Sequence, residues 1–164
     1  MTQELIAAST YFLRWNLERI ERCLAELSEA EVWQRPSPQS NAVGIQLLHL
    51  EGNIRQWILS GLAGQPDIRQ RAAEFDPLAT IPKAEALARL RQTIEAATGA
   101  IEAATEASLK PERAVQAYVH DGVYIIMHVV EHLSYHTGQI VFWTKQLRDK
   151  DLNFYGSDDL NQTN

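Results

Sequence analysis

Cysteine is almost missing from this chain. Cys23 is the only one in 164 residues, so no intramolecular disulfide can form. A lone thiol suits a reducing compartment, and a cytoplasmic protein is expected. Positive charge is also scarce: 15 Lys and Arg face 21 Asp and Glu, for a net charge of −6 and a pI near 5.3. General nucleic-acid binding needs a basic face and is not expected here. No apolar run approaches a membrane span, since the run at 123–130 is interrupted by His128. The opening MTQELIAAST has no basic region leading into an apolar run, so no secretory leader is expected. Repeats and low-complexity blocks are absent, and nothing reads as a strand. There is no His-Glu-x-x-His, so a zincin-type protease is not expected.

What remains is helical. The length fits one domain over residues 1–164, enough to bury a core without a disulfide or structural metal. Apolar residues recur at helical spacing from about Gln3 to Leu27, with no glycine or proline. Ser28-Glu-Ala-Glu31 reads as a capping box for a short turn carrying Trp33. Pro36 and Pro38 then impose a loop. A second long helix is expected from about Ala42 to Ser60, with Ser40 or Asn41 as N-cap and Gly61 as stop. A long connection with Pro66, Pro77 and Pro82 leads to a third helix, about Lys83 to Glu106. Asp121-Gly122 opens a fourth, about Val123 to Arg148. Beyond it the tail is polar, with Phe154 and Tyr155 placed to dock back. The pattern predicts an all-α four-helix bundle, with its longest connection between the second and third helices.

The last long helix carries the chemical signal. HVVEHLSYHTGQIVFW places His128, His132 and His136 four residues apart, three of the five histidines in the chain. At about 100° per residue, these imidazoles fall within about 40° of His132 on one face, where a bundle ordinarily puts leucine. Imidazoles at i and i+4 can share one metal ion, and a third ligand must then come from another helix. His49 sits on a strip of the second helix with Gln46, Gly52, Asn53, Gln56 and Ser60, between apolar edges. Such a strip reads as a lined cavity, with Gly52 leaving room for a ligand. The bland alternative is that these are core or surface histidines hydrogen-bonded to neighbours. The convergence of His49 with His132 and His136 favours a metal.

HLEGNIRQWILSG at 49–61 and HLSYHTGQI at 132–140, with RPSPQSNAVGIQLLHLEGN and RQRAAEF, resemble the DinB/YfiT-like metalloenzyme superfamily, most closely its DUF1572 branch. The family pattern is a histidine on the second helix and His-x-x-x-His before Gly-Gln on the last long helix. His49, His132 and His136 match it position by position. Many members read His-Arg-Gly-Gln, whereas Thr137 follows His136 here, which leaves the ligands intact but not any role of that arginine. The resemblance implies a four-helix bundle, often dimeric, with a divalent metal such as zinc or nickel on the three histidines. It also implies a metal-dependent enzyme. Members of known activity include transferases and isomerases that use low-molecular-weight thiols, and hydrolase activity is proposed by analogy.

The other candidates are less defined. Three imidazoles at i, i+4 and i+8 span about 12 Å of helix, so His128 should stand off from an ion held by His132 and His136. It is open as a proton shuttle, a donor to a ligand, a fourth ligand or a packed histidine. Gln139 is placed to position a water or anchor a histidine. Asn53 and Gln56 read as polar groups of a pocket or as bridges between helices. Glu131 points about 100° away from His132, toward solvent. Arg69, Arg71 and Glu74 read either as a solvated ion-pair cluster or, for the two arginines, as an anion-binding rim. The tryptophans read as core or interface fillers, and Cys23 as inert. Leu47, Ile54 and Ile58, opposite the His49 strip, read as more apolar surface than one core needs, and a homodimer is expected. The leading functional reading is a thiol-dependent S-transferase or hydrolase acting on a small molecule. The alternative is a non-catalytic, stress-related bundle that binds a metal or small ligand.

Overall fold

Free of glycine and proline, the first segment forms a helix, α1 (Thr2–Glu26), that buries Ile6, Leu13, Leu17, Ile20 and Leu24 along one stripe. The computed structural model describes residues 2–76, 78, 80–156 and 158–163. A short helix, α2 (Glu29–Trp33), follows with the expected capping box, in which Glu31 accepts from the Ser28 amide at 2.8 Å. Next come α3 (Val43–Ile54), which continues as a π-helical segment at Arg55–Leu62, a 3₁₀ turn at Arg71–Phe75, and α4 (Lys83–Glu102). The chain ends with a short α5 (Glu106–Leu109), a hairpin of β1 (Arg113–Val115) and β2 (Tyr118–His120), and α6 (Gly122–Arg148). Asp121 caps α6 by accepting from the Tyr124 amide at 2.8 Å.

The four long helices close into a ring in which α1 packs on α6 and α4, and α3 on α4 and α6. Leu13, Ile20, Leu47, Leu50, Ile54, Ile58, Leu90, Ile94, Ile125 and Leu133 fill the centre. The tail folds back on α1, where Arg19 lies over the rings of Phe154 and Tyr155. Arg22 also donates to the Asn153 carbonyl at 2.7 Å. Cys23 is fully buried, and burial pushes its thiol pKa up, which keeps it a thiol. Among the described residues no helix is long and apolar enough to cross a membrane.

Several local expectations are overturned. The N-cap of α3 is Ala42, with no side-chain bond, rather than Ser40 or Asn41. Gly61 does not stop the helix, which winds on to Leu62 and ends by Gly64 at φ 75°. A Cβ on Gly61 would meet Val115 Cγ2 at 2.5 Å, so this glycine lets the hairpin approach the π-helical turn. The hairpin itself was not expected. Its strands are three residues each, too short to show alternation, and the turn uses Gln116 at φ 55° rather than glycine or asparagine. The third helix ends at Glu102 rather than Glu106, because Thr105 caps α5 instead. Leu47, Ile54 and Ile58 are fully enclosed by this chain's own core, which removes the surface on which the homodimer was argued.

The two glycine environments predict opposite responses. Gly61→Ala forces Val115 away and should lower unfolding stability by about 1–3 kcal/mol. Gly99 in α4 has open space around its Cβ position, so Gly99→Ala should raise stability by up to about 1 kcal/mol. Urea unfolding of both variants checks this; equal shifts would contradict the packing described.

Candidate metal centre

α3 and α6 face each other across the bundle and bring His49, His132 and His136 together. One ring nitrogen from each lies within 4.8 Å of the other two. His49 Nε2 and His132 Nε2 are 2.9 Å apart. The His49 ring stands edge-on to His132 and His136, with centroids at 5.0 and 5.2 Å.

Two of the three imidazoles are oriented from behind. Glu74 Oε2 lies 2.9 Å from His49 Nδ1. Gln46 Oε1 lies 3.2 Å from His136 Nδ1. Carboxylate and carbonyl oxygens accept, so each Nδ1 carries the proton and each Nε2 turns its lone pair to the cluster. Arg69 fixes Glu74 through Nε to Oε1 at 2.6 Å and Nη2 to Oε2 at 2.8 Å. Arg69 Nη2 also lies 3.2 Å from His49 Nδ1. That contact is the longest of the set, and the carboxylate between the two donors takes both protons. Gln56 Oε1 accepts from Arg69 Nη1 at 2.9 Å, while its Nε2 donates to Asp67 at 2.7 Å.

Gly52 makes this relay possible. A Cβ there would lie 2.1 Å from Glu74 Oε1 and 3.0 Å from Arg69 Nε. The space read from sequence as room for a ligand is filled by the chain's own carboxylate. Burial raises the Glu74 pKa, but the hydrogen bonds from Arg69 and His49 outweigh it and hold the carboxyl below its ordinary range. Burial, reinforced by the neighbouring histidines, lowers His132 to about 3. Burial and His49 lower His136 to about 4, against a slight upward pull from Gln139. His132 and His136 are therefore neutral at pH 7, the state in which imidazole binds metal.

The remaining candidates are spread around this centre. His128 is outside the converging trio; its ring packs on Trp57 at a 30° tilt with centroids 3.8 Å apart, and Asn53 Nδ2 lies 3.5 Å from its Nε2. Burial lowers the His128 pKa. Gln139 is exposed beside His136, and Glu131 faces solvent. A cavity of about 370 Å³ opens from His49 and His132 and is walled by Asn53, Trp57, Tyr118, Tyr124 and His128, with Arg69 and Arg71 alongside. Gln56 does not line it. Arg69 is nearly enclosed and committed to Glu74, so of the two arginines only Arg71 stands as an open rim.

The roles of Glu74 and Gln46 escaped sequence reasoning. Gln46 fell on the His49 strip without a partner to assign it. Glu74 lies 25 residues from His49, across a connection whose path no periodicity reveals. The one available signal was Gly52, a bare position one turn beyond His49.

Replacing Glu74 with Gln keeps the shape but removes the charge that holds His49. Zinc affinity by competition titration should fall about 10–100-fold, with the helical content unchanged. Unchanged affinity would contradict the relay. Acid should also weaken the metal-free protein. His132 and His136 have folded pKa values below the 6.5 of the unfolded chain, so the unfolded state binds more protons between. Stability present above pH 6.5 should decline as pH falls toward about 3. A double His132→Leu, His136→Leu variant should show a flatter thermal-unfolding profile over the same range.

Comparison with known proteins accords with the fold. The DUF1572 family, described as "Protein of unknown function", matches residues 1–156. No curated protein matches the chain. Among solved structures, a DinB-like protein from Bacillus cereus ATCC 10987 superposes with a TM-score of 0.64 at 17% identity, covering 84% of this chain and 91% of that one. At that identity the likeness speaks for the fold. The chain belongs to the DUF1572 family, and it shares its four-helix-bundle fold with a DinB-like protein.

Proposed function

We propose that this protein is a metal-dependent enzyme in which His49, His132 and His136 hold one divalent ion, zinc or nickel. The supporting observation is the convergence of three imidazoles, two with their Nδ1 groups already engaged, at the end of a cavity. Three imidazoles leave the ion a free position, where it supplies Lewis-acid chemistry that lowers the pKa of a thiol or water.

The substrate is a small molecule, with a low-molecular-weight thiol as one reactant in an S-transfer or hydrolysis. His128 is the acid/base group. Burial keeps it neutral, and it lies on the cavity wall one helical turn before His132, so it can take a proton released beside the cluster. Asn53 steadies its ring from α3. Trp57 and the hairpin residue Tyr118 shield that side from water. The protein works in the cytoplasm as a homodimer, and Phe12 on α1 with Tyr135 and Phe142 on α6 offer exposed apolar surface for pairing.

A second reading, non-catalytic metal or ligand binding, draws on one fact. Among the described residues no carboxylate lines the cavity, so catalysis there would lack the commonest substitute for His128 as a base.

Untagged protein should carry about one equivalent of divalent metal by mass spectrometry, and a His49→Ala, His136→Ala variant almost none. Full occupancy in that variant would reject the site. Conversion of N-acetylcysteine with an electrophile, lost on chelation and reduced about 10²-fold or more by His128→Ala, would support catalysis. Metal without turnover would favour the binding reading.

A further inference from the structure

The cavity beside the histidines differs in charge from the molecule around it. The chain carries −6 overall, yet the described residues lining this cavity include two arginines and no aspartate or glutamate. The arginines are not equivalent. Arg69 is bound on two edges by Glu74 and Gln56. Arg71 is exposed, lies over the Phe75 ring with Cζ 5.0 Å from its centroid, and makes no hydrogen bond or ion pair among the described residues. One free guanidinium presents one two-pronged donor edge, which matches a carboxylate.

The inner wall carries a second demand. Asn53 and Trp57 are 4% and 2% exposed, and both line the cavity. Asn53 Oδ1 and Trp57 Nε1 are buried without any hydrogen-bond partner. An unpaired acceptor and an unpaired donor one turn apart on the same helix are costly unless something pairs with them. An amide does so, because it donates through N–H and accepts through C=O. The π-helical winding begins at Arg55, between these two residues, and carries Trp57; such turns occur often at functional sites.

We infer that the cavity binds a small carboxylate that also carries an amide, its carboxylate on Arg71 and its amide on Asn53 and Trp57. This rests on the reading above, in which the histidine cluster is the reacting end of the same site. Tyr118 and Tyr124, about half exposed at the mouth, cover the apolar part of such a molecule. Within the class of low-molecular-weight thiols, a peptide-like acid is selected over a simple alkyl thiol.

Four probes test this on the metal-loaded full chain by titration calorimetry. They are N-acetylalanine, its neutral amide N-acetylalaninamide, 2-methylbutyrate and N-acetylcysteine. N-acetylalanine should bind about tenfold more tightly than N-acetylalaninamide, and Arg71→Gln should erase that preference. It should also outbind 2-methylbutyrate, an advantage that Asn53→Leu should erase. Binding should shift the Trp57 indole N–H resonance, which Trp57→Phe identifies, so a poorly folded Asn53→Leu variant would not decide the matter alone. Equal affinities for the acid and its amide in wild type, a preference surviving Arg71→Gln, or no binding of either acid would overturn the inference. Both preferences in a chain that binds no metal, or that gains nothing from the thiol of N-acetylcysteine, would sink the enzyme reading and leave this one standing.

Discussion

A single contact between a loop and a helix organises the site: His49 Nδ1 against Glu74 Oε2 at 2.9 Å. An imidazole on a helix can turn about two bonds and carry its proton on either nitrogen. The carboxylate removes both freedoms, leaving Nε2 as a lone pair directed at His132 and His136. Glu74 is itself held by two bonds from Arg69, and Arg69 by Gln56. The loop reaches α3 because Gly52 offers no side chain at the point of approach. The long connection after α3 is thus part of the metal centre, and its polar residues replace the apolar packing that the bundle uses elsewhere.

The bundle supplies rigidity behind that contact. Leu50 and Ile54 flank His49 and Asn53 on the buried side of α3, and Val129, Leu133 and Ile140 do the same for α6. Each histidine therefore sits between residues that cannot move without opening the core. The hairpin completes the other wall. It reaches the π-helical turn through Gly61 and delivers Tyr118 to the cavity beside Trp57, with ring centroids 6.3 Å apart. Burial among these groups keeps His132 and His136 neutral and strengthens the charge-assisted bonds between Arg69 and Glu74.

Regular features were legible in the sequence because they repeat. The stripes of α1 and α6, the capping box at Ser28 and the Asp121 cap all follow from local spacing. The four-residue interval from His132 to His136 and its convergence with His49 were readable for the same reason. Contacts that join distant segments were not. Glu74 read as part of a solvated ion-pair cluster, since nothing local says that a loop carboxylate will be buried against a helix. Gly61 read as a stop because glycine commonly ends helices, although here the need is a close approach. Gln56 fell on the right strip, but the π-helical winding that begins at Arg55 places it toward the loop. Leu47, Ile54 and Ile58 looked surplus only while the ring of four helices was unknown.

The central claim is that His49, His132 and His136 form one metal site whose geometry Glu74 sets without ligating. The most direct measurement is a crystal structure of the zinc-loaded protein with anomalous scattering at the metal edge. The account predicts one peak bonded to Nε2 of all three histidines, with Glu74 still on His49 Nδ1 and His128 standing off. A peak elsewhere, an ion ligated by Glu74 or His128, or no peak at full zinc loading would contradict it.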